Sequence, residues 1–181
     1  LVGFENQDSG TISVQLPNAN IQLPLYWVPQ NEGLWSHLTV HEHLRLVASE
    51  SHSDSDETSK RLVNFDLADQ GDRYPDRLSL GERARLNVVR ALVSGASVLV
   101  MDEPLAHVDP SRIGKYWQAI RNHCARSGAS LIFATHSPEA VLREAATVVC
   151  LKEGKLLYAG SVDELYQEPG SRELAEFLEL D

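Results

Sequence analysis

The sequence is poor in the features that mark secreted, membrane-spanning and nucleic-acid-binding proteins. Its 181 residues include only two cysteines, Cys124 and Cys150, so a disulfide framework is not indicated and both are expected to be small buried residues. No apolar stretch approaches the roughly 20 residues that span a bilayer, and no secretory signal is recognisable. Sixteen basic residues stand against 26 acidic ones, a net charge of −10, which argues against a nucleic-acid surface.

A second absence concerns phosphate binding, because the loop pattern G-x-x-x-x-G-K-[ST] does not occur. The only methionine is Met101, so we expect that residue 1 is not a translation start and that the chain was processed or trimmed at its front. What is present is ordinary for a globular protein. Apolar residues make up 43 % of the chain, whose length suffices for one domain with a sizeable core.

Short apolar strands alternate with helical segments along the chain. Strands are predicted within 21–28 and over 96–101, 130–134 and 147–151, and further strands over 10–16 and 156–159. The segment 39–48 predicts a helix capped by Thr39, whereas the serine-rich acidic segment 49–60 is expected to be a mobile solvated loop or a frayed helix start. The alternation is typical of an α/β fold with a mostly parallel sheet and helices on its faces.

The apolar run Val98–Met101 ends in two adjacent acids, Asp102 and Glu103. Ligands of open α/β sheets bind at the carboxyl edge of the strands, where one acid could hold Mg²⁺ through water and the other could polarise an attacking water. The alternative is a strand that emerges into solvent with acids at its tip. Pro104 and Asp109 in the following loop favour the first interpretation.

The segment Leu78–Glu82 comes directly before a helix, whose first turn presents unpaired N–H groups to an anion. Ser79 would add a hydroxyl donor, and Gly81 would let a phosphate approach the backbone closely. The alternative is an ordinary helix that begins with Ser79 as its N-cap. On its own, the segment favours this second interpretation.

Two further polar residues follow predicted strands. His136 comes after the third strand, so it would face the same sheet edge and could donate to a phosphate oxygen, although a loop histidine is usually only a surface residue. Gln30 ends the first strand, where it could contact metal-bound water. His37, His41 and His43 lie close together in sequence, but the last two do not share a helix face, so a zinc site is not favoured.

Taken in order, these pieces resemble the nucleotide-binding subunit of ATP-binding cassette (ABC) transporters, in the style of importer ATPases. The resemblance rests on five motifs: Val28-Pro29-Gln30 resembles the Q-loop, Leu78-Ser79-Leu80-Gly81-Glu82 the signature LSGGQ, Val98–Glu103 the Walker B strand with its catalytic glutamate, Ala106–Asp109 the D-loop, and His136 the switch histidine. Five motifs in one order at sensible spacing are highly specific, and the match runs through nearly the whole chain.

The signature segment departs from the family pattern at two positions. Leu80 replaces a glycine and is expected to point away from the phosphate, and Glu82 replaces a glutamine and brings a negative charge close to it. Leu1-Val2-Gly3 resembles the stretch just after the Walker A helix of the family. We therefore expect the first strand and Walker A to lie upstream of residue 1, and the chain to be an N-terminally truncated cassette.

The resemblance implies a P-loop NTPase-like α/β domain over residues 1–181. It implies a small helical subdomain with the signature over about 38–93, a Walker B core over 94–160 and C-terminal helices over 161–181. ATP and Mg²⁺ are the implied cofactors. Two such subunits are expected to associate head to tail, with ATP between them.

Each site residue takes a role from its motif. The residues expected to contact ATP are Ser79, Gly81, Glu82 and Asp109. Asp102 and Gln30 would serve the metal ion, and Glu103 would act as general base or water orienter. His136 would hold the γ-phosphate, and Gln30 would also report the nucleotide state to a membrane subunit. Phosphoryl transfer depends mostly on such positioning and charge stabilisation.

The implied function is an ATP-hydrolysing subunit that powers solute transport through a transmembrane permease. It would be cytoplasmic, peripheral on the inner face of the cell membrane, and without a nucleic-acid partner. One alternative is a non-transport cassette protein that acts on DNA or ribosomes. Another is a degenerate module that only binds a partner, and nucleotide turnover by the full-length protein would separate it from the ATPases.

We expect that residues 1–181 alone bind ATP without useful affinity, because the missing phosphate loop supplies most phosphate contacts through its N–H groups and lysine. Titration of the chain with a fluorescent ATP analogue measures this. Micromolar binding would contradict the expectation.

Overall fold

The computed structural model describes residues 3, 6–13, 23–30, 33–49 and 55–178. The chain divides into two compact units, residues 1–134 and residues 135–181, called here the first and the second unit. Within the described ranges, no helix combines the length and the apolar character that crossing a membrane requires. The finer subdivision expected from the sequence stays a prediction.

Three parallel strands form the sheet of the first unit. They are β1 (Leu25–Val28), β2 (Val98–Asp102) and β3 (Ser130–Ala134), in that spatial order. Val28 lies opposite Met101, and Asp102 lies opposite Ala134, so all three strands end at one edge. The predicted α/β fold with a parallel sheet is confirmed. The strand predicted over 10–16 is wrong over 10–13, where the backbone is not in a strand, and residues 14–16 lie outside the described part.

The described residues of the first unit form four α-helices. They are α1 (Val40–Val47), α2 (Ser55–Asn64), α3 (Leu80–Val93) and α4 (Pro110–Ser127). The predicted first helix is confirmed together with its cap, because the Thr39 hydroxyl accepts from the Glu42 N–H while the Glu42 carboxylate accepts from the Thr39 N–H. Every residue of α3 from Leu86 to Val93 is buried, so this helix forms the centre of the hydrophobic core.

Helix α2 decides between the two alternatives for the serine-rich segment. Residues 55–60 belong to this helix, so the loop is wrong there and the helix start is right, and residues 50–54 lie outside the described part. Two ion pairs stabilise its polar side, and the partners in each lie four residues apart: Asp56–Lys60 at 2.6 Å and Glu57–Arg61 at 3.1 Å. Because Leu62 is buried in the core, the apolar end of the segment anchors the whole helix.

The second unit is built on a β-hairpin with three short helices. Its elements are α5 (Pro138–Glu144), β4 (Thr147–Lys152), β5 (Lys155–Ser161), α6 (Val162–Gln167) and α7 (Arg172–Phe177). The two strands are antiparallel, and their turn residues Glu153 and Gly154 both have positive φ, as a two-residue type I′ turn requires. Its buried residues are Val141, Val162, Leu165, Leu174 and Leu178.

His43 on α1 uses both ring nitrogens within the chain. Its Nδ1 lies 2.8 Å from the Thr39 carbonyl oxygen, and its Nε2 accepts a hydrogen bond of 2.8 Å from the Trp35 N–H. This pattern requires a neutral ring that carries its proton on Nδ1. Burial, with a smaller contribution from the charge of Arg90, lowers the pKa of His43. In the described residues, no three His, Cys, Asp or Glu side chains form a metal cluster.

We expect acidification to destabilise the fold through His43. The unfolded chain protonates this ring near its ordinary pKa of about 6.5, and the folded chain does so only at lower pH, so the unfolded state binds more protons below about pH 6.5. Lowering the pH from about 7 to about 5.5 should lower the unfolding free energy through this group, by up to about 1 kcal/mol if the folded ring stays neutral throughout. Urea unfolding at both pH values measures the effect.

The matched variants are His43→Gln, which should lose this part of the pH dependence, and His37→Gln, which should retain it because His37 is exposed. An equal pH dependence in all three chains would show that His43 is not the titrating group.

Candidate functional site

The parallel register places Gln30 and the acidic pair at one sheet edge. Val28 and Met101 lie opposite each other in the register. Gln30 comes two residues after Val28 and Glu103 two residues after Met101, so the two residues hold equivalent positions on neighbouring strands. Gln30 is exposed and Asp102 is half-buried. Side chains that leave neighbouring parallel strands at this edge can face a common ligand.

Glu103 leaves the sheet through a left-handed backbone conformation. Its φ is 44°, and its N–H donates a 3.0 Å hydrogen bond to the carbonyl oxygen of Ala134. For a residue with a Cβ, this conformation costs about 1 kcal/mol. Because β2 ends at Asp102, the strand alternation that would direct neighbouring acids to opposite faces does not extend to Glu103.

The start of α3 is closed by a reciprocal cap. The Ser79 hydroxyl accepts from the Glu82 N–H at 3.2 Å, and the Glu82 carboxylate accepts from the Ser79 N–H at 2.7 Å. Burial alone would raise the pKa of Glu82, but the hydrogen bonds to Ser79 and the charge of Arg85 outweigh it and lower that pKa. The structure therefore has Ser79 as an ordinary N-cap, and the Glu82 carboxylate places a negative charge at this helix start.

Gly81 is required by the packing of the chain on itself. A Cβ at this position would lie 2.7 Å from the carbonyl oxygen of His107, which belongs to the loop after β2. His107 itself has a φ of 62°. Leu80, in contrast, is 58 % exposed, so the leucine found in place of the family's glycine meets no such constraint within the described residues.

The remaining candidates occupy helix starts. Asp109 caps α4, because its carboxylate accepts from the N–H and the hydroxyl of Ser111 at 2.9 and 2.8 Å, and these hydrogen bonds lower its pKa. His136 is exposed, belongs to the second unit and precedes α5, which Ser137 caps. Its place in the site with the acids therefore stays a prediction.

A cluster around Asp66 was not foreseen from the sequence. Its carboxylate accepts hydrogen bonds from the Tyr116 hydroxyl at 2.7 Å and from Lys115 at 2.6 Å. Arg85 donates to the same hydroxyl at 2.7 Å and, through Nε, to the Gly81 carbonyl oxygen at 3.1 Å. The cluster joins the end of α2, the middle of α4 and the first turn of α3. Its partners lie about 50 residues apart, and no local pattern signals such a contact.

A buried arginine holds the loop after Gln30. Arg90 of α3 donates to the Gly33 carbonyl oxygen and, at 3.0 Å, to the Asn87 side chain, and its guanidinium lies 4.5 Å from the centre of the Trp35 ring. Burial lowers the pKa of Arg90, and no described carboxylate pairs with it. The loop that carries the predicted Q-loop glutamine is thus fixed to the same helix that carries the signature.

A parallel sheet with flanking helices and an acidic pair at its carboxyl edge makes this chain a member of the α/β class. Within that class, the family model described as "ABC transporter" matches residues 1–106. The chain belongs to this family. It is also similar to a solved structure titled "Structure of ATP binding subunit of ABC transporter", at a TM-score of 0.74 and 25 % identity, over 86 % of this chain and 68 % of that one.

Curated relatives are ATP-binding proteins of import systems. The chain is 30 % identical to the Fe(3+) ions import ATP-binding protein FbpC of Photobacterium profundum, over 98 % of this chain and 53 % of that protein. It is 31 % identical to the spermidine/putrescine import protein PotA of Clostridium acetobutylicum, with the same coverage. For the molybdenum import protein ModC of Paramagnetospirillum magneticum, the values are 31 %, 96 % and 51 %. The chain thus spans about half the length of these relatives.

The contact of Gly81 with His107 predicts opposite effects for two glycine-to-alanine changes in helices. Gly114 of α4 has open space around its missing Cβ, so Gly114→Ala should stabilise the fold by about 0.5–1 kcal/mol. Gly81→Ala gains the same helix propensity but crowds a backbone carbonyl, and it should destabilise the fold by about 1–3 kcal/mol. Urea unfolding of both variants checks this, and similar stabilisation by both would refute the steric argument.

Proposed function

We propose that the complete protein is the ATP-hydrolysing subunit of an ABC importer. It binds ATP and Mg²⁺, pairs head to tail with a second such subunit, and sits at the inner face of the cell membrane against a transmembrane permease. The observation that carries the proposal is the register of β1 and β2, which brings Gln30, Asp102 and Glu103 to one edge in a chain of this family. Three relatives are ATP-binding proteins of import systems, which supports import as the direction of transport.

The residues at the edge fit a magnesium ion. Mg²⁺ in proteins is bound through one or two carboxylates and several waters, and Asp102 and Gln30 offer one carboxylate and one amide oxygen at the ends of paired strands. Asp102 is only half-buried, so it retains access to water-mediated ligands. When bound, the ion neutralises charge on the phosphates.

Glu103 is the residue that acts on the attacking water. Its carboxylate follows β2 directly, and it orients that water and accepts its proton as the phosphate bond breaks. The loop after β2 also packs against the start of α3, since the His107 carbonyl oxygen in this loop lies close to Gly81. His136 donates to the γ-phosphate and stabilises its charge.

The signature segment contributes its helix start. The Ser79 hydroxyl and the Gly81 N–H donate to the γ-phosphate held by the partner subunit, in a field that favours anions. The Glu82 carboxylate, which accepts from the Ser79 N–H, brings a negative charge close to this phosphate. A glutamine at this position would keep an oxygen for that hydrogen bond without the charge. Asp109 holds the D-loop at the start of α4 by capping that helix.

A second candidate function is a degenerate cassette that acts only through a partner. The closed cap at Ser79, with its charged Glu82 in place of glutamine, favours it. ATP turnover by the complete protein decides between the two, because a partner-binding module binds without hydrolysis.

Replacement of Glu103 by Gln in the complete protein should abolish ATP hydrolysis and leave ATP binding intact, since the amide keeps the shape of the side chain and loses its basicity. Phosphate release and ATP titration measure the two properties. The control is Glu153→Gln, which changes the same charge at an exposed hairpin turn of the second unit and should hydrolyse ATP like the unchanged protein. Near-normal hydrolysis by Glu103→Gln would overturn the assigned role.

A further inference from the structure

A cationic cleft lies between α2 and α4, and the proposed function uses none of the side chains that line it. Its volume is about 250 Å³, below the range of pockets that hold drug-sized ligands. The residues that line it are Glu57, Lys60, Arg61, Asn64, Phe65, Leu92, Lys115, Gln118, Ala119, Asn122 and Arg126. Four of these side chains are basic and one is acidic, in a chain with a net charge of −10.

The two walls of the cleft are regular. The lining residues of α2 recur at intervals of three or four positions, and so do most of those of α4, so each helix presents one polar stripe to the cleft. Phe65 and Leu92, both buried in the core, supply an apolar floor. Such a lining combines cationic walls with amide donors over a firm base.

Arg61 is the observation that points to a ligand. It is 6 % exposed, it lines the cleft, and its Nε is buried with no hydrogen-bond partner in the described part of the protein. Within the described residues, its guanidinium has one carboxylate partner, Glu57, whose oxygen lies 3.1 Å from Nη2. An unsatisfied donor of a buried guanidinium is costly, because the group has lost its water without gaining a full set of acceptors.

The other cations differ in how far they are neutralised. Lys60 pairs with Asp56, and Lys115 pairs with Asp66, each at 2.6 Å. Arg126 is exposed and donates through Nε to the Asn122 carbonyl oxygen at 3.2 Å, and among the described residues no carboxylate pairs with it. The cleft therefore keeps positive charge on α4 opposite the incompletely satisfied Arg61.

We propose that this cleft binds a small multivalent oxyanion, a phosphate ester or a polycarboxylate. Its anionic groups accept hydrogen bonds from Arg126 and Arg61 across the cleft, with Lys60 and Lys115 supplying charge. Asn64 and the amides of Gln118 and Asn122 add neutral donors. Glu57 opposes binding through its own negative charge and thereby limits the affinity.

The proposal is tested by calorimetric titration of the 181-residue chain with pyrophosphate and, separately, with citrate, without nucleotide, in buffer freed of divalent metal ions by a resin and at constant ionic strength. We expect saturable binding of at least one probe at one site. Binding of pyrophosphate alone assigns the site to phosphate esters, and binding of citrate alone assigns it to polycarboxylates. The absence of saturable binding of either probe overturns the proposal.

Two variants with opposite expected signs locate the site. Arg126→Gln should weaken binding by about tenfold, the loss expected for one charge-assisted hydrogen bond. Glu57→Gln, which keeps an oxygen to accept from Arg61, should tighten binding by about fivefold, the effect of removing one like charge nearby. Arg143→Gln, an exposed arginine of the second unit, should leave affinity unchanged. Equal affinities in Arg126→Gln and Arg143→Gln overturn the proposal.

Discussion

The burial of helix α3 is the constraint on which the rest of the first unit depends. Because every residue from Leu86 to Val93 is inside the core, the helix cannot rotate or slide without opening cavities in a close-packed interior. Its polar side chains then act from a fixed base. Arg90 holds the loop that follows Gln30, and Arg85 reaches Tyr116 of α4. The first turn, with Ser79 and Gly81, is therefore positioned by packing far from any ligand.

The periodic elements could be predicted from the sequence because their signals are local. Two such signals lie within six residues each, and both elements are present in the structure: the apolar run Val98–Met101 and the helix cap Thr39–Glu42. The sequence could not decide between a loop and a helix for the front of α2. The serine-rich composition around Ser55 favours a loop, whereas the helix is stabilised by two ion pairs and by the buried residues at its other end. Local pattern describes an element well only when its stabilisation is also local.

The candidate site divides in the same manner. That Asp102 and Gln30 meet at an edge could be inferred from strand order in this class of fold, and the register agrees with it. The contact of Gly81 with His107 joins residues 26 positions apart, and the left-handed turn at Glu103 is imposed by the end of the strand. Neither feature can be recognised from the amino-acid sequence alone. A glycine at position 81 could be required for the approach of a phosphate or for the packing of the chain on itself, and the structure shows the second requirement.

The close approach at Gly81 also has a consequence for how this cassette can drift in evolution. Two adjacent positions of one short motif tolerate substitution unequally. The side chain at position 80 is exposed, whereas a Cβ at position 81 would lie only 2.7 Å from a backbone carbonyl oxygen. A leucine at position 80 can therefore replace a glycine without disturbing the packing of the first unit. A change at position 81 would need a compensating change in the loop of His107, so the two segments are bound to vary as a pair.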